Sequence, residues 1–566
     1  MAQTLQTSTA ARLNPVLYGR FLLFIAGMGG LLYGIDVGII SAALLYLGKT
    51  IDLTVSQTSA VVAAVLGGSM LSSLVAGFLA DWVGRRKMMI LSGLLFVSSV
   101  GLIVVSHAFL SLFLGRLLQG LSGGVIAVVV PLYLAECLSA ETRGRGSAIF
   151  QFMLTFGIVV AALTGFYYTH EAEAAISAAG GNPVLIRAAQ NHAWRGMFLS
   201  VVYPGLIFFA GSFFLSETPR WLFAHGRRDA AYQSLRRSAA EAEAALEMGE
   251  MESLAEENKT RTSAGAGSLL QRRYVFPFVL ACVILSLNQA TGINSVLAYL
   301  AIILKQAGMS ASHATQGDLS VKVLNCVMTV LAVALIDRKG RKFLLSLGTG
   351  GIVLSLLLMA LLFHGFEAQR VDLQARVQAE VRANQLVLTA DTVRGWAGPA
   401  SGPEALTVLY SYGSGDKLAT LIGDDTLHIH PDVSAAGVFT SMPLHISHAY
   451  LGPIPSQRTG WLVALCLGLF IACYSAGPGV VVWLTLSELM PTRIRSAGMG
   501  IALLLNQGVA TLLAGVFLPV VSRFGYYAMF LSWAGCTTLY CLTAVVFLPE
   551  TKGKTLEEIE RGFEKA

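Results

Sequence analysis

Asp36 and Arg116 stand where charge is costly, inside the apolar runs 21–47 and 111–135. A charge at bilayer depth costs on the order of 2.5–3.5 kcal/mol on insertion scales unless it is paired or hydrated. Pairing the two would favour the ionised carboxylate, and burial would oppose it. Protonation of Asp36 from outside would then break the pair and free the N-terminal half of the chain to move.

A second set of apolar-run residues is neutral and polar. It comprises Gln151, Asn288, Gln289, Asn294, Asn325, Asn506 and Gln507, with the indole of Trp483. Amides both donate and accept hydrogen bonds, which matches a guest carrying many hydroxyls. The indole offers a flat face to the C–H surface of such a guest. Single amides also serve as glue between membrane helices. Eight candidates spread over both halves of the chain favour a central cavity.

The elements that position them are membrane helices. Of 566 residues, 55% are hydrophobic and only 13% charged, with a mean hydropathy of +0.65. That is too little charge to cover a soluble protein of this length. Apolar runs of about 20 residues suffice to cross a bilayer core. They recur near 21–47, 59–80, 88–106, 111–135, 147–168, 197–215, 275–303, 319–336, 343–363, 461–486, 497–521 and 526–548. Backbone in lipid must satisfy its own hydrogen bonds, so these spans are expected as helices. The net charge of +6 comes from short clusters between spans and is no signal for nucleic acid. Seven cysteines in or beside apolar runs suggest no disulfide framework.

Connectors 81–87, 136–146, 337–342 and 488–495 hold eleven Lys or Arg, against three in 48–58, 107–110, 304–318 and 522–525. The basic set is expected on the cytoplasmic side, together with both termini. Two segments interrupt the rhythm. Residues 217–274 read as a cytoplasmic linker, helical through Glu241–Glu257, and residues 364–459 as a long outward-facing polar loop.

Asp81-Trp-Val-Gly-Arg85-Arg86 recurs as Asp337-Arg-Lys-Gly-Arg341-Lys342, and Glu136…Arg143 recurs as Glu488…Arg495. The offsets, 256 and 352 residues, differ by 96, the length of segment 364–459. The halves therefore read as two copies of a six-helix unit: a bundle over 1–216, the linker, and a bundle over 275–566 with 364–459 inserted. The fold class expected is all-α and polytopic, with twelve spans in two repeats that rock about a central site. The repeated charges are expected to form ion pairs between helix ends, made in one conformation and broken in the other.

These motifs resemble the sugar porter branch of the major facilitator superfamily, its bacterial proton-coupled symporters in particular. Gly77–Arg86 resembles the signature between helices two and three. Glu217-Thr-Pro-Arg220-Trp-Leu is similar to the motif after helix six, and Pro549-Glu550-Thr-Lys-Gly to that after helix twelve. The resemblance covers nearly everything but 364–459. It implies a carrier of a small sugar in the cell (inner) membrane, working as a monomer with the sugar, a proton and the bilayer as partners. Gln289-Ala-Thr-Gly-Ile-Asn294 looks like the helix-seven sugar motif, with Asn288 in place of its first Gln. The resemblance puts Gln151, Asn325 and Trp483 on sugar-contacting positions and Asn506 on a contact in helix eleven. Ile158 matches hexose carriers. Gly477-Pro478-Gly479 is similar to the flexible helix-ten motif, and Tyr299 reads as an outer gate, with an interfacial tyrosine the competing reading. An acid at Asp36 goes, in this family, with proton symport, and the competing reading is a structural salt bridge in a facilitator.

Other signals are weak. Gly48-Lys49-Thr50 has Ala43 where a phosphate loop needs glycine. Gly348-Thr-Gly-Gly reads as packing, and the Asn258 sequon lies on the cytoplasmic side. His428, His430, His445 and His448 lack the acidic or cysteine clustering of a metal site. No nucleophile–base constellation argues for an enzyme, and no cofactor is expected. Two further alternatives are a nutrient sensor, which would want a longer tail than the 18 residues after the last span, and an organic-ion carrier, which would want more charge in the cavity.

Overall fold

The computed structural model describes residues 15–138, 140–238, 241–261, 272–397, 403–422, 426–431, 442–490 and 495–550. Its first half runs α1 (Pro15–Thr50), α2 (Val55–Val83), α3 (Arg85–Val104), α4 (Phe109–Cys137), α5 (Ala140–Ala178), α6 (Pro183–Ser200) and α7 (Val202–Ser212). Three linker helices follow: α8 (Pro219–Ala224), α9 (Arg228–Ser238) and α10 (Glu241–Arg261), the last where the Glu/Ala-rich run predicts one. The second half begins with α11 (Arg272–Ala290), α12 (Ile293–Gln306), α13 (Ala311–Lys339) and α14 (Arg341–Glu367). After the insertion come α17 (Gln457–Ala476), α18 (Pro478–Leu489), α19 (Arg495–Phe524) and α20 (Tyr526–Val546).

Among the described residues, twelve segments are long and apolar enough to cross a membrane, with α6–α7, α11–α12 and α17–α18 each acting as one broken span. The sixth starts at Pro183, fourteen residues before the apolar run suggests. Asn182 caps its first turn, and Pro183 needs no N–H there.

Lipid gives helices no reason to associate, so close packing of small residues must do so. A Cβ on Gly34 of α1 would overlap the Leu154 carbonyl of α5, and one on Gly120 of α4 would overlap the Val65 carbonyl of α2. The α1–α5 and α2–α4 seams knit the first bundle, and α14–α20 and α14–α17 the second. Between bundles, α1 meets α12, α2 meets α19, and α5 meets α13.

The polar segment 364–459 is not a plain loop. It carries β1 (Val371–Asp372), α15 (Gln374–Ala379), β2 (Leu386–Thr389), α16 (Ala390–Ala397), β3 (Glu404–Ser411), β4 (Lys417–Ile422), β5 (Thr426–Ile429) and β6 (His445–Pro453). Antiparallel strands order as β1-β6-β3-β4, with β2 and β5 paired separately. Leu373, Val377, Leu406, Val408, Ile446 and Leu451 form a core of its own. Alternating burial in β2 and β4 shows why a hydropathy average misses it: half the residues of each strand face solvent.

Three helix starts share one device. Gly84, Gly340 and Gly525 each adopt a positive φ, of 105°, 88° and 85°. A carboxylate sits against each glycine, where a Cβ would collide with it: Glu217, Glu550 and Glu367 respectively. Glu217 accepts from the N–H groups of Arg85 and Arg86 at 2.9 and 3.1 Å, and Glu550 from those of Arg341 and Lys342 at 3.0 and 3.1 Å. Glu367 does the same for Tyr526 and Tyr527 on the insertion face. Each carboxylate satisfies N–H groups that a helix terminus leaves unpaired, and meets the positive end of the dipole.

Candidate functional site

Asp36, midway along α1, and Arg116 on α4 meet with Arg116 Nη1 donating to Asp36 Oδ1 at 3.2 Å, each 1% exposed. Arg116 also donates to Gln119 Oε1 at 2.7 Å and stands over the Phe198 ring. The second carboxylate oxygen, Asp36 Oδ2, is buried with no hydrogen-bond partner. A lone pair left empty inside a protein is costly.

Three amides of the second bundle form a connected set. Asn294 Nδ2 donates to Gln289 Oε1 at 2.8 Å, and Gln289 Nε2 to Asn506 Oδ1 at 3.2 Å. Asn506 Nδ2 in turn donates to the Leu285 carbonyl at 2.9 Å, so Asn506 holds α11 against α19 while aiming Gln289. Asn288 Nδ2 donates to the Tyr474 hydroxyl at 3.3 Å, and Asn288 Oδ1 is buried without a partner. Asn325 Oδ1 accepts from Ser475 at 2.6 Å. Tyr474 and Ser475, partners that a search for amides passes over, thus tie α17 to α11 and α13.

Breaks in the spans carry these groups. Gly292, at φ 83°, separates α11 from α12, and a Cβ there would enter the Trp533 ring of α20. Gly477 and Pro478 separate α17 from α18, with Gly477 packed on Leu344 and Gly348 of α14. Gly348 is therefore a packing residue, as its setting predicts. Trp483 of α18 is 43% exposed, and Gln151 of α5 is half-buried. Ile158 is buried in the α1–α5 seam, its backbone against Gly34 and Gly38.

Tyr299 is fully buried, which sets aside the interfacial reading. Its hydroxyl lies 3.1 Å from the Ala514 carbonyl and 3.4 Å from Ser59 Oγ, and its ring stacks on Phe517. Ser59 belongs to α2, so Tyr299 spans the two bundles on the half nearer the insertion. The same half holds a pair absent from the sequence reading. Asp318 and Lys322 of α13, 1% and 0% exposed, meet at 2.8 Å and bond to α1. Hydropathy begins this span at 319, whereas the helix begins at Ala311.

At the face opposite the insertion, Arg85 bridges Asp81 at 2.7 Å and Glu136 at 2.8 Å, and Thr218 donates to Glu136 at 2.6 Å. Arg86 reaches the Phe213 carbonyl, and Arg220 is exposed. These contacts, like those of Glu217 and Glu550, each join helices within one bundle. The side chains of Arg143, Asp337, Glu488 and Arg495 lie outside the described residues.

Among the described residues, twelve spans in two bundles, with buried amides and two buried ion pairs between their helices, define a membrane carrier of the major facilitator fold. The chain belongs to the sugar (and other) transporter family, which matches residues 22–375 and 433–563, and so to the sugar porter branch of that superfamily. The internal gap between the two matched stretches falls within the insertion. The chain is 28% identical, over 96% of each chain, to the glucose transporter GlcP of Staphylococcus epidermidis. It is also 28% identical to the probable inositol transporter 2 of Arabidopsis thaliana, covering 98% of this chain and 92% of that one. The partially occluded inward-open structure of the xylose transporter XylE from E. coli shares the fold, with a TM-score of 0.66 at 20% identity, over 95% of this chain and 100% of that one. This is a multi-pass membrane protein and not an enzyme.

Proposed function

We propose that the protein is a hexose–proton symporter of the cell (inner) membrane, acting as a monomer with both termini in the cytoplasm and working by alternating access. The observation that carries the coupling is the Asp36–Arg116 pair, buried, with one carboxylate oxygen unpartnered. With the basic connectors inside, the insertion lies outside. The bonds from α1 and α2 to α12, α13 and α19 then seal the outer half. In the outward-open state a proton reaches Asp36 and releases Arg116 to Gln119 alone. The sugar replaces its water with Gln289, Asn294, Asn325 and Asn288 on one side and Gln151 on the other, its ring against Trp483. Closure of the outer half follows, and the proton leaves on the cytoplasmic side with the sugar.

Hexose is supported by Ile158 and by the glucose carrier among the relatives. The inositol transporter of similar identity makes a cyclic polyol the second reading. Counterflow of labelled glucose, xylose and myo-inositol in proteoliposomes separates them. Glucose is expected to exchange fastest, and exchange of none of the three would remove the assignment.

A further inference from the structure

We infer that Asp318 and Lys322 form an ionic latch across the outer half of the bundle interface, fastened to the same stretch of α1 that carries Asp36. The inference rests on the alternating-access reading. Lys322 Nζ donates to Asp318 Oδ2 at 2.8 Å within α13, and to the Gly38 carbonyl of α1 at 3.1 Å. Asp318 Oδ1 accepts from Ser41 Oγ of α1 at 3.0 Å. Ser41 Oγ itself accepts from the Ala301 N–H of α12 at 3.0 Å. One cluster therefore joins α1 of the first bundle to α12 and α13 of the second.

Placement explains what it does. Lys322 lies about 16 Å along α13 from its start at Ala311, at 1.5 Å per residue, and one turn before Asn325. Gly38 has no side chain because α5 packs against it: a Cβ would press on Ala161. Its carbonyl is left to face Lys322. Burying two charges is costly even when they are paired, and the cost is offset only if the remaining donors and acceptors are filled. Here Ser41 and Gly38 fill them, and both leave with α1 when the outer half opens. Water can replace them only once the gap admits it. A half-open gate leaves the pair dry and under-bonded, so the cluster favours full closure or full opening. Asp36, Gly38 and Ser41 lie within two turns of one helix, so a shift of α1 that releases Asp36 from Arg116 also pulls on the latch.

The test is a distance measurement that needs no sugar. Spin labels are placed at Lys49→Cys and Gln306→Cys, both exposed, in full-length protein whose seven native cysteines are replaced. Lys322→Met is expected to raise the population with separated labels at least threefold. The decisive variant is the exchange Asp318→Lys/Lys322→Asp. It keeps the attraction within α13 but sets a carboxylate against the Gly38 carbonyl, and it is expected to open the gate as Lys322→Met does. A parental distance distribution in the exchange variant would reduce the pair to support within one helix and overturn the latch. So would unchanged distances in Lys322→Met. If that variant does not fold, Ser41→Ala, which leaves the pair intact, is expected to shift the distances the same way by less, and no shift overturns the proposal. Sugar counterflow on the parent protein reports separately on the transport reading.

Discussion

Glu217 occupies the space that a side chain at position 84 would need. Gly84 runs at φ 105°, and the Glu217 carboxylate, in contact with it, collects the N–H groups of Arg85 and Arg86. Glu550 and Gly340 repeat the arrangement in the other bundle. Alanine at Gly84 meets both a strained backbone and an occupied space, an expected cost of about 1–3 kcal/mol. Thermal unfolding in detergent checks this. Gly84→Ala is expected to cost less on a Glu217→Ala background, because only the backbone strain remains. Equal costs on both backgrounds would separate the two residues.

Much of this is legible in the sequence. The twelve spans follow from apolar length, and the paired offsets of the Gly-Arg motifs locate the insertion, because charge at helix ends repeats even where the apolar sequence drifts. Glu217 and Glu550 were legible as network members, though their role as caps on glycine turns was not, since hydrogen bonds across 132 and 209 residues leave no local pattern. Asp318 and Lys322 were hidden for a different reason. Asp318 falls just outside the apolar run 319–336 and Lys322 just inside it, and nothing in the sequence says that they neutralise each other. The strands of the insertion were illegible because they are short, and period-two burial averages to polar. Glu367, the third carboxylate cap, has no motif around it.

Asn506 is expected to act on sugar affinity through Gln289. It spends its amide nitrogen on the Leu285 carbonyl and its oxygen on Gln289. Asn506→Leu leaves Gln289 held by Asn294 alone, and a loss of aim equivalent to one hydrogen bond of about 1.4 kcal/mol raises KM about tenfold. Gln289→Ala should raise KM by at least as much. The two together should fall short of the product, since they disturb one contact, and zero-trans uptake kinetics on the three variants decide.

The insertion grips the first bundle. Lys417 Nζ reaches Asp52 Oδ2 at 2.5 Å, the Val55 N–H that opens α2 donates to the Asp416 carbonyl at 2.8 Å, and Arg523 of α19 holds the Asp416 side chain at 3.1 Å. Asp416 thus touches both bundles. Asp52 is largely exposed, so its pair with Lys417 contributes at most about 1 kcal/mol and weakens with salt. Lys417→Met is expected to raise the labelling rate of a cysteine at Ser59 by a modest factor at low ionic strength, and by less at high. Equal labelling rates in the variant and the parent at low salt would mean that the insertion does not hold the outer half shut.

The coupling claim stands on Asp36, and uphill accumulation measures it most directly. Proteoliposomes holding the purified protein are given an inward proton gradient and labelled glucose, and the internal concentration is followed. The parent protein is expected to concentrate the sugar above its external level and to lose that ability when the gradient is collapsed. Asp36→Asn is expected to exchange glucose in counterflow yet stop at equal concentrations under the same gradient. Accumulation by Asp36→Asn to the parental level would contradict the account.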